Sequence, residues 1–169
     1  GPGNSTDTPE SMAIDDYGNV FVTGSSLSSE TNYNIVTIKY DLNGVQQWVN
    51  IYNSPENNAD LAHSLAIDDS GNIYVTGGIT GNNTKSDFAT IKYNFAGEIL
   101  WIRKYDGPAG DVDYAKFIAL DTKGNIFITG YSTGKGSEFD YATIKYNLDG
   151  EELWAARYNG HGNKNDLVN

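Results

Sequence analysis

The strongest constraint on this chain is that it repeats itself every 53 residues. Gly-Asn-(Val/Ile)-(Phe/Tyr)-(Val/Ile)-Thr-Gly occurs at Gly18–Gly24, Gly71–Gly77 and Gly124–Gly130. Thr-Ile-Lys-Tyr follows at Thr37–Tyr40, Thr90–Tyr93 and Thr143–Tyr146. Trp48, Trp101 and Trp154 keep the step, as do Tyr52, Tyr105 and Tyr158. Asp7, Asp60, Asp113 and Asp166 keep it too, so the last ten of the 169 residues restart the pattern at the equivalent of Gly1. A fixed period of this length means one supersecondary unit per repeat, each burying its apolar faces against its neighbours.

Each unit divides into four short β segments. The first is Ser11–Asp15, with counterparts Ser64–Asp68 and Phe117–Asp121. It runs into a turn where Gly supplies positive φ and Asp can bond the turn backbone. The second, Val20–Thr23, is rich in β-branched and aromatic residues. Polar linkers of variable sequence come next, at Ser25–Asn32, Gly78–Lys85 and Tyr131–Glu138. The third segment is Ile35–Tyr40, and Asn43-Gly44, Ala96-Gly97 or Asp149-Gly150 then marks a hairpin. The fourth, Val45–Tyr52, carries Trp48 and Tyr52 on one face, because their spacing preserves the strand period of two. A 3.6-residue apolar stripe occurs nowhere, which excludes substantial helix.

Four antiparallel strands in a unit of this length describe a propeller blade. The fold class is therefore read as all-β, with three blades per chain, each a four-stranded antiparallel meander. The blades fall at residues 10–53, 63–106 and 116–158, with connectors at 1–9, 54–62 and 107–115. Residues 159–169 are the connector that opens a fourth repeat, so the chain reads as three whole blades cut at a blade boundary. Stacked blades bury both faces of each sheet, which explains why Val20-Phe21-Val22, Ile73-Tyr74-Val75 and Ile126-Phe127-Ile128 do not alternate cleanly. Small Ala13, Ala66 and Ala119 suit the crowded axis, and the Trp and Tyr rings suit the wide outer rim.

Hydrophobics at 38% and aromatics at 12% fit a folded chain, and 19 glycines fit a turn-dense one. A net charge of −11 argues against nucleic acid or an anionic membrane as partner. With no cysteine there is no disulfide, thiolate metal site or Cys nucleophile. No apolar run approaches the roughly 20 residues of a membrane-spanning helix.

The motifs Asp-x-x-Gly-Asn-x-(Tyr/Phe)-(Val/Ile)-Thr-Gly, Asp-(Tyr/Phe)-Ala-Thr-Ile-Lys-Tyr, Leu-Trp-x-x-x-Tyr-(Asn/Asp)-Gly and Gly-Pro-Gly-Asn resemble the bacterial β-propeller repeats called SBBP repeats. Unit one departs most, with Asn34-Ile35-Val36 in the second motif and Gln47 before Trp48. The resemblance implies a propeller, often in secreted or cell-envelope bacterial proteins, and no shared catalytic activity. The run Asn147–Trp154 is also similar to the Trp-containing blade motif of quinoprotein-type propellers, a likeness of blade packing and not of a cofactor site.

Fifteen positions are identical in all three units, including Asp15, Gly24, Lys39, Gly44 and Trp48. Recurrence in every blade is what scaffold residues do. Asp15, Asp68 and Asp121 are accordingly read as turn acceptors, and Lys39, Lys92 and Lys145 as partners of Asp7, Asp60 and Asp113, or of Asp87 and Asp140, a per-blade ion pair being preferred and snorkelling past neighbouring apolar groups being the alternative. The Asp15–Asn19 stretch is too short for a calcium-binding EF-hand loop, and Asp106, Asp111 and Asp113 form the next oxygen cluster. His63 and His161 sit at non-equivalent positions with no triad or metal motif around them. Asn4-Ser5-Thr6 and Asn82-Asn83-Thr84 match the glycosylation acceptor pattern, which matters only in a eukaryotic secretory setting. Tyr33, Tyr131, Lys135 and Phe139 make the loop-bearing end of the sheets partly aromatic. A central channel would offer only Ser11, Ser64 and Phe117 from the first strands.

The functional expectation is a non-catalytic scaffold or interaction module with no catalytic, cofactor or metal residue assigned. Propellers close with about 4–8 blades, so three blades call for self-association, with six blades from two chains preferred and a trimer as the other option. The competing classes are a ligand- or glycan-binding propeller using inter-blade or loop-face sites, and an enzyme with a channel site.

Overall fold

The computed structural model describes residues 6–28, 32–81, 85–161 and 164–166. The Asn82-Asn83-Thr84 acceptor and all of the first acceptor but Thr6 lie outside these residues. The described residues form twelve strands in three antiparallel sheets in sequence order. Blade 1 contains β1 (Asp7–Ile14), β2 (Val20–Leu27), β3 (Tyr33–Tyr40) and β4 (Gln46–Tyr52). Blade 2 contains β5 (Asp60–Ile67), β6 (Ile73–Thr80), β7 (Ser86–Tyr93) and β8 (Ile99–Tyr105). Blade 3 contains β9 (Asp113–Leu120), β10 (Ile126–Thr133), β11 (Phe139–Tyr146) and β12 (Glu152–Tyr158). Among the described residues there is no helix. The first strands of successive blades neighbour one another.

The strands are longer than the local pattern suggests, and one device explains it. β1, β5 and β9 start at Asp7, Asp60 and Asp113, inside the segments read as connectors. β2, β6 and β10 run on through Leu27, Thr80 and Thr133, so the variable linkers are shorter than expected. In each blade the pairing of these two strands skips one residue, Glu10, His63 or Lys116. A bulge shifts the pleat by one, so the alternation on either side of it falls out of phase and reads as a break. The bulged backbone presses on Gly24, Gly77 or Gly130. A Cβ on Gly77 would lie 1.9 Å from the Leu61 carbonyl oxygen, which is why this glycine recurs.

The strand starts are fixed by the recurring aspartate. The Ser54 N–H donates to Asp60 Oδ2 at 2.5 Å and the Gly107 N–H to Asp113 Oδ2 at 2.6 Å, each across a connector. Asp166 accepts the Gly160 N–H in the same way. The invariant threonines tie the two central strands together. Thr23, Thr76 and Thr129 donate from Oγ1 to the carbonyls of Val36, Ala89 and Ala142.

Two apolar clusters fill the gaps between blades. Between blades 1 and 2, Phe21, Ile35, Trp48 and Tyr52 meet Leu65, Ile73, Val75, Ile91 and Tyr93. Between blades 2 and 3, Tyr74, Phe88, Trp101 and Tyr105 meet Ile126, Ile128, Ile144 and Tyr146. Blade 2 has a neighbour on each face, so β7 is buried along its whole length. Gly77→Ala should destabilise the chain by about 2 kcal/mol or more, as overpacking against backbone cannot relax through a rotamer. Urea unfolding monitored by tryptophan emission measures it, and an unchanged midpoint would contradict the assigned bulge.

Candidate functional site

The residues richest in oxygen turn out to be structural. Asp15 Oδ1 accepts the Tyr17 and Asn19 N–H groups at 2.9 and 2.8 Å, and Oδ2 accepts Asn19 Nδ2 at 2.7 Å. Asp68 and Asp121 repeat the pattern with Asn72 and Asn125. Burial opposes the Asp15 anion, but these donors outweigh it and hold the carboxyl below its usual range. At Asp121 the Asn125 side chain is the leading cause of the same lowering. The second hairpin uses the same chemistry, with Asp41, Asn94 and Asn147 accepting from the backbone two and four residues on. It is a five-residue loop with Gly44 at φ +77°, longer than the two-residue turn that Asn43-Gly44 suggests.

The expected pairing of Lys39 with the strand-end aspartates is not what forms. Lys39 Nζ sits 3.0 Å from the Phe95 ring centroid in the next blade, and Lys92 Nζ donates to the Leu148 carbonyl at 3.0 Å. Register explains this: Lys39 lies opposite Phe21 near one end of the sheet, whereas Asp7 lies opposite Ser26 at the other. Burial pushes the Lys39 ammonium below its usual range.

Of the oxygen cluster read at Asp106, Asp111 and Asp113, Asp111 leaves to pair with Lys85 at 3.0 Å. Asp87 takes its place, and the carboxylate oxygens of Asp87, Asp106 and Asp113 lie within 4.8 Å of one another. These three are the residues that could hold a hard cation. Burial raises the Asp113 pKa, with repulsion from Asp106 adding to it. Asp87 escaped the sequence because it arrives from β7, on a different blade from Asp113. Of the aromatics of the loop-bearing end, Tyr33 stays apart on β3 of blade 1, while on blade 3 the Tyr131 ring lies 4.9 Å from Phe139 and 5.4 Å from Tyr114.

The blade junctions carry the most specific geometry. Trp48 Nε1 donates to the Phe95 carbonyl at 3.1 Å, and Trp101 Nε1 donates to the Leu148 carbonyl at 3.2 Å. Each indole also lies flat over the hairpin glycine of the next blade. A Cβ on Gly97 would meet Trp48 at 2.8 Å, and one on Gly150 would meet Trp101 at 3.0 Å. Asn50 and Arg103 add bonds to the carbonyls of those same glycines.

Three segments, residues 1–30, 47–83 and 102–136, match the SBBP beta-propeller repeat model, together more than half of the chain. The chain belongs to the SBBP beta-propeller repeat family. No curated protein matches it. A crystal structure of a eukaryotic initiation factor is similar to it with a TM-score of 0.56, 10% identity, and coverage of 92% of this chain and 33% of that one. The SBBP chain thus spans about a third of that protein's length, and at such identity the likeness is one of fold alone.

In this SBBP chain both terminal blades present faces built like those that are buried inside. On blade 3, Trp154 is 41% exposed and Tyr158 58% exposed. On blade 1, Met12 is 59% exposed, whereas its counterpart Leu65 in the blade 1–2 junction is 7% exposed. A groove of about 370 Å³ on the outer face of blade 1 is lined by Val22, Val36, Ile38, Val49 and Ile51. Gly44 has a positive φ like Gly97 and Gly150, yet among the described residues no atom stands within 4 Å of where its Cβ would be. A second cleft, about 440 Å³, opens between the turns of blades 1 and 2 and holds Asp16, Tyr17, Asp69 and Phe95.

The bulges add polar groups that a reading of Ser11, Ser64 and Phe117 overlooks, namely Glu10, His63 and Lys116. The recurring glycine opposite each bulge was the signal that could have found them. Burial, with the charge of Lys116 adding to it, pushes the His63 imidazole down to about 4. Between pH 6.5 and 4 the unfolded chain therefore takes up a proton that the folded chain resists, and stability falls as pH falls. Asp60 and Asp113, raised by burial, act in the opposite direction. Comparison with His63→Gln isolates the imidazole. From pH 7 to pH 4.5 the unmodified chain should lose roughly 1–2 kcal/mol more unfolding free energy than the variant, the full linkage value being reduced by solvent screening of a partly exposed ring, measured by urea titration at each pH.

Proposed function

We propose that this chain is a non-catalytic propeller scaffold that completes its ring by self-association, blade 3 of one copy docking on blade 1 of the next. The observation that carries this is the repeated indole seat. Trp48 and Trp101 each cover the hairpin glycine of the following blade, and the third indole, Trp154, is exposed while Gly44 offers the same seat uncovered. The faces correspond in detail: Phe127, Trp154 and Tyr158 stand where Tyr74, Trp101 and Tyr105 stand in blade 2. Val20, Val22, Val36 and Ile38 stand where Ile126, Ile128, Ala142 and Ile144 receive them. Apolar faces of this kind drive association when left uncovered. Two chains give six blades, within the range of about 4–8 that closes a ring.

Light scattering at micromolar concentration should give about twice the chain mass of 18.4 kDa. Trp154→Ala should shift the species toward monomer by at least about tenfold in Kd, since buried aromatic anchors dominate interfaces. Trp101→Ala should instead lower the melting temperature of each subunit. A monodisperse monomer at 50–100 µM, to take a rough working range above typical nM–µM dissociation constants, would contradict self-association.

A second reading, a ligand- or glycan-binding propeller, is favoured by the cleft between the turns of blades 1 and 2. There Tyr17, 80% exposed, stands beside the carboxylates of Asp16 and Asp69. Glycan-array binding that is lost in Tyr17→Ala would support it, and binding unaffected by that change would remove the cleft from consideration.

A further inference from the structure

The three junctions of a closed ring would not be identical, because the residues facing each other across them break the repeat at particular positions. In the blade 1–2 junction Ser25 Oγ accepts the Ala62 N–H at 3.2 Å, across the gap between β2 and β5. One repeat on, Gly78 and Ala115 occupy these positions; two repeats on, the donor blade carries Tyr131. A tyrosine ring replaces the serine acceptor there. On a second copy the receiving residue is Pro9, the counterpart of Ala62, and proline has no N–H to leave unsatisfied. The loss of an acceptor on one side is thus matched by the loss of a donor on the other.

The bulge residues change in step. Glu10, His63 and Lys116 hold equivalent places in successive blades. Lys116 is close enough to His63, one blade back, to act on it electrostatically. Its ammonium lies 5.7 Å from the ring of Tyr131. Ile126 and Ile128 point into the junction with blade 2, so by the strand period Tyr131 belongs to the opposite face of blade 3. That is the face a following blade would cover. Glu10 and Pro9 are exposed on β1.

We propose that Lys116 with Glu10, and Tyr131 with Pro9, form a seam between blade 3 of one copy and blade 1 of another that fixes head-to-tail order. This rests on the self-association reading above and adds its specificity. One junction further along the ring, Lys116 stands where His63 stands and Glu10 of the next copy stands where Lys116 stands, so cation meets carboxylate. The wrong pairings are penalised: blade 1 on blade 1 sets Glu10 against Glu10, and blade 3 on blade 3 sets Lys116 against Lys116. Like charges across an interface suppress misdirected association, and opposite charges fix its register. A two-chain ring contains two such seams related by the two-fold axis.

The test uses the full chain and charge reversal, with circular dichroism confirming that each variant folds. Glu10→Lys and Lys116→Glu should each weaken the homodimer about tenfold, the scale set by two partly exposed ion pairs turned repulsive. Mixing the two single variants should restore a heterodimer at near the original affinity, because both seams then carry opposite charges. With one variant uniformly labelled with nitrogen-15, native mass spectrometry resolves the heterodimer from either homodimer by mass. If the unmodified chain dimerises but the single variants match it within about twofold, the seam is wrong and self-association stands. A heterodimer no tighter than the variant homodimers would overturn the head-to-tail order. A monomeric unmodified chain would overturn both readings.

Discussion

Everything in this structure depends on one contact made twice, the indole of one blade laid over the hairpin glycine of the next. A four-stranded meander has two apolar faces and cannot bury either by itself. The outer strands diverge from the axis, so the gap there needs a large ring, and the Trp indole supplies both area and a directed N–H. Its bond to the Phe95 or Leu148 carbonyl sets how far one sheet turns relative to the next. Tilted aromatic neighbours such as Phe21 and Tyr74, centroids 6.1 Å from Trp48 and Trp101, complete the wall. Aromatic pairs of this kind contribute about 0.5–1.5 kcal/mol beyond burial.

Near the axis the opposite problem arises, since the first strands crowd together. The bulge answers it by bending these strands and by re-aiming one side chain per blade. The bulged backbone lies so close to the glycine on the neighbouring strand that no side chain fits at the glycine position. Invariance in every blade and variation at the bulge position therefore have a common origin. The fold fixes the glycine, and the residue opposite it is left to differ, as Glu10, His63 and Lys116 do.

Much of the candidate site was readable only in outline. The roles of Asp15, Asp68 and Asp121 follow from local turn chemistry, so the sequence suffices for them. Lys39 does not pair as its charge suggests, because register places its ammonium against Phe95 of another blade. Asp87 joins Asp106 and Asp113 for the same reason: the partners are distant in sequence and share a junction.

What the sequence determined by itself was the period, the number of blades, their four-strand order and the identity of the turn residues. Those depend on local propensity and on repetition, both of which are written along one dimension. Tertiary structure decided where each strand begins, which residue bulges, and which face of each blade meets a neighbour. Phase across a bulge and contact across a junction involve residues about one repeat apart, and only the packed sheets bring them together. The exposure of Trp154 and the bare seat at Gly44 belong to this second class, since the sequence shows three equal tryptophans and three equal glycines.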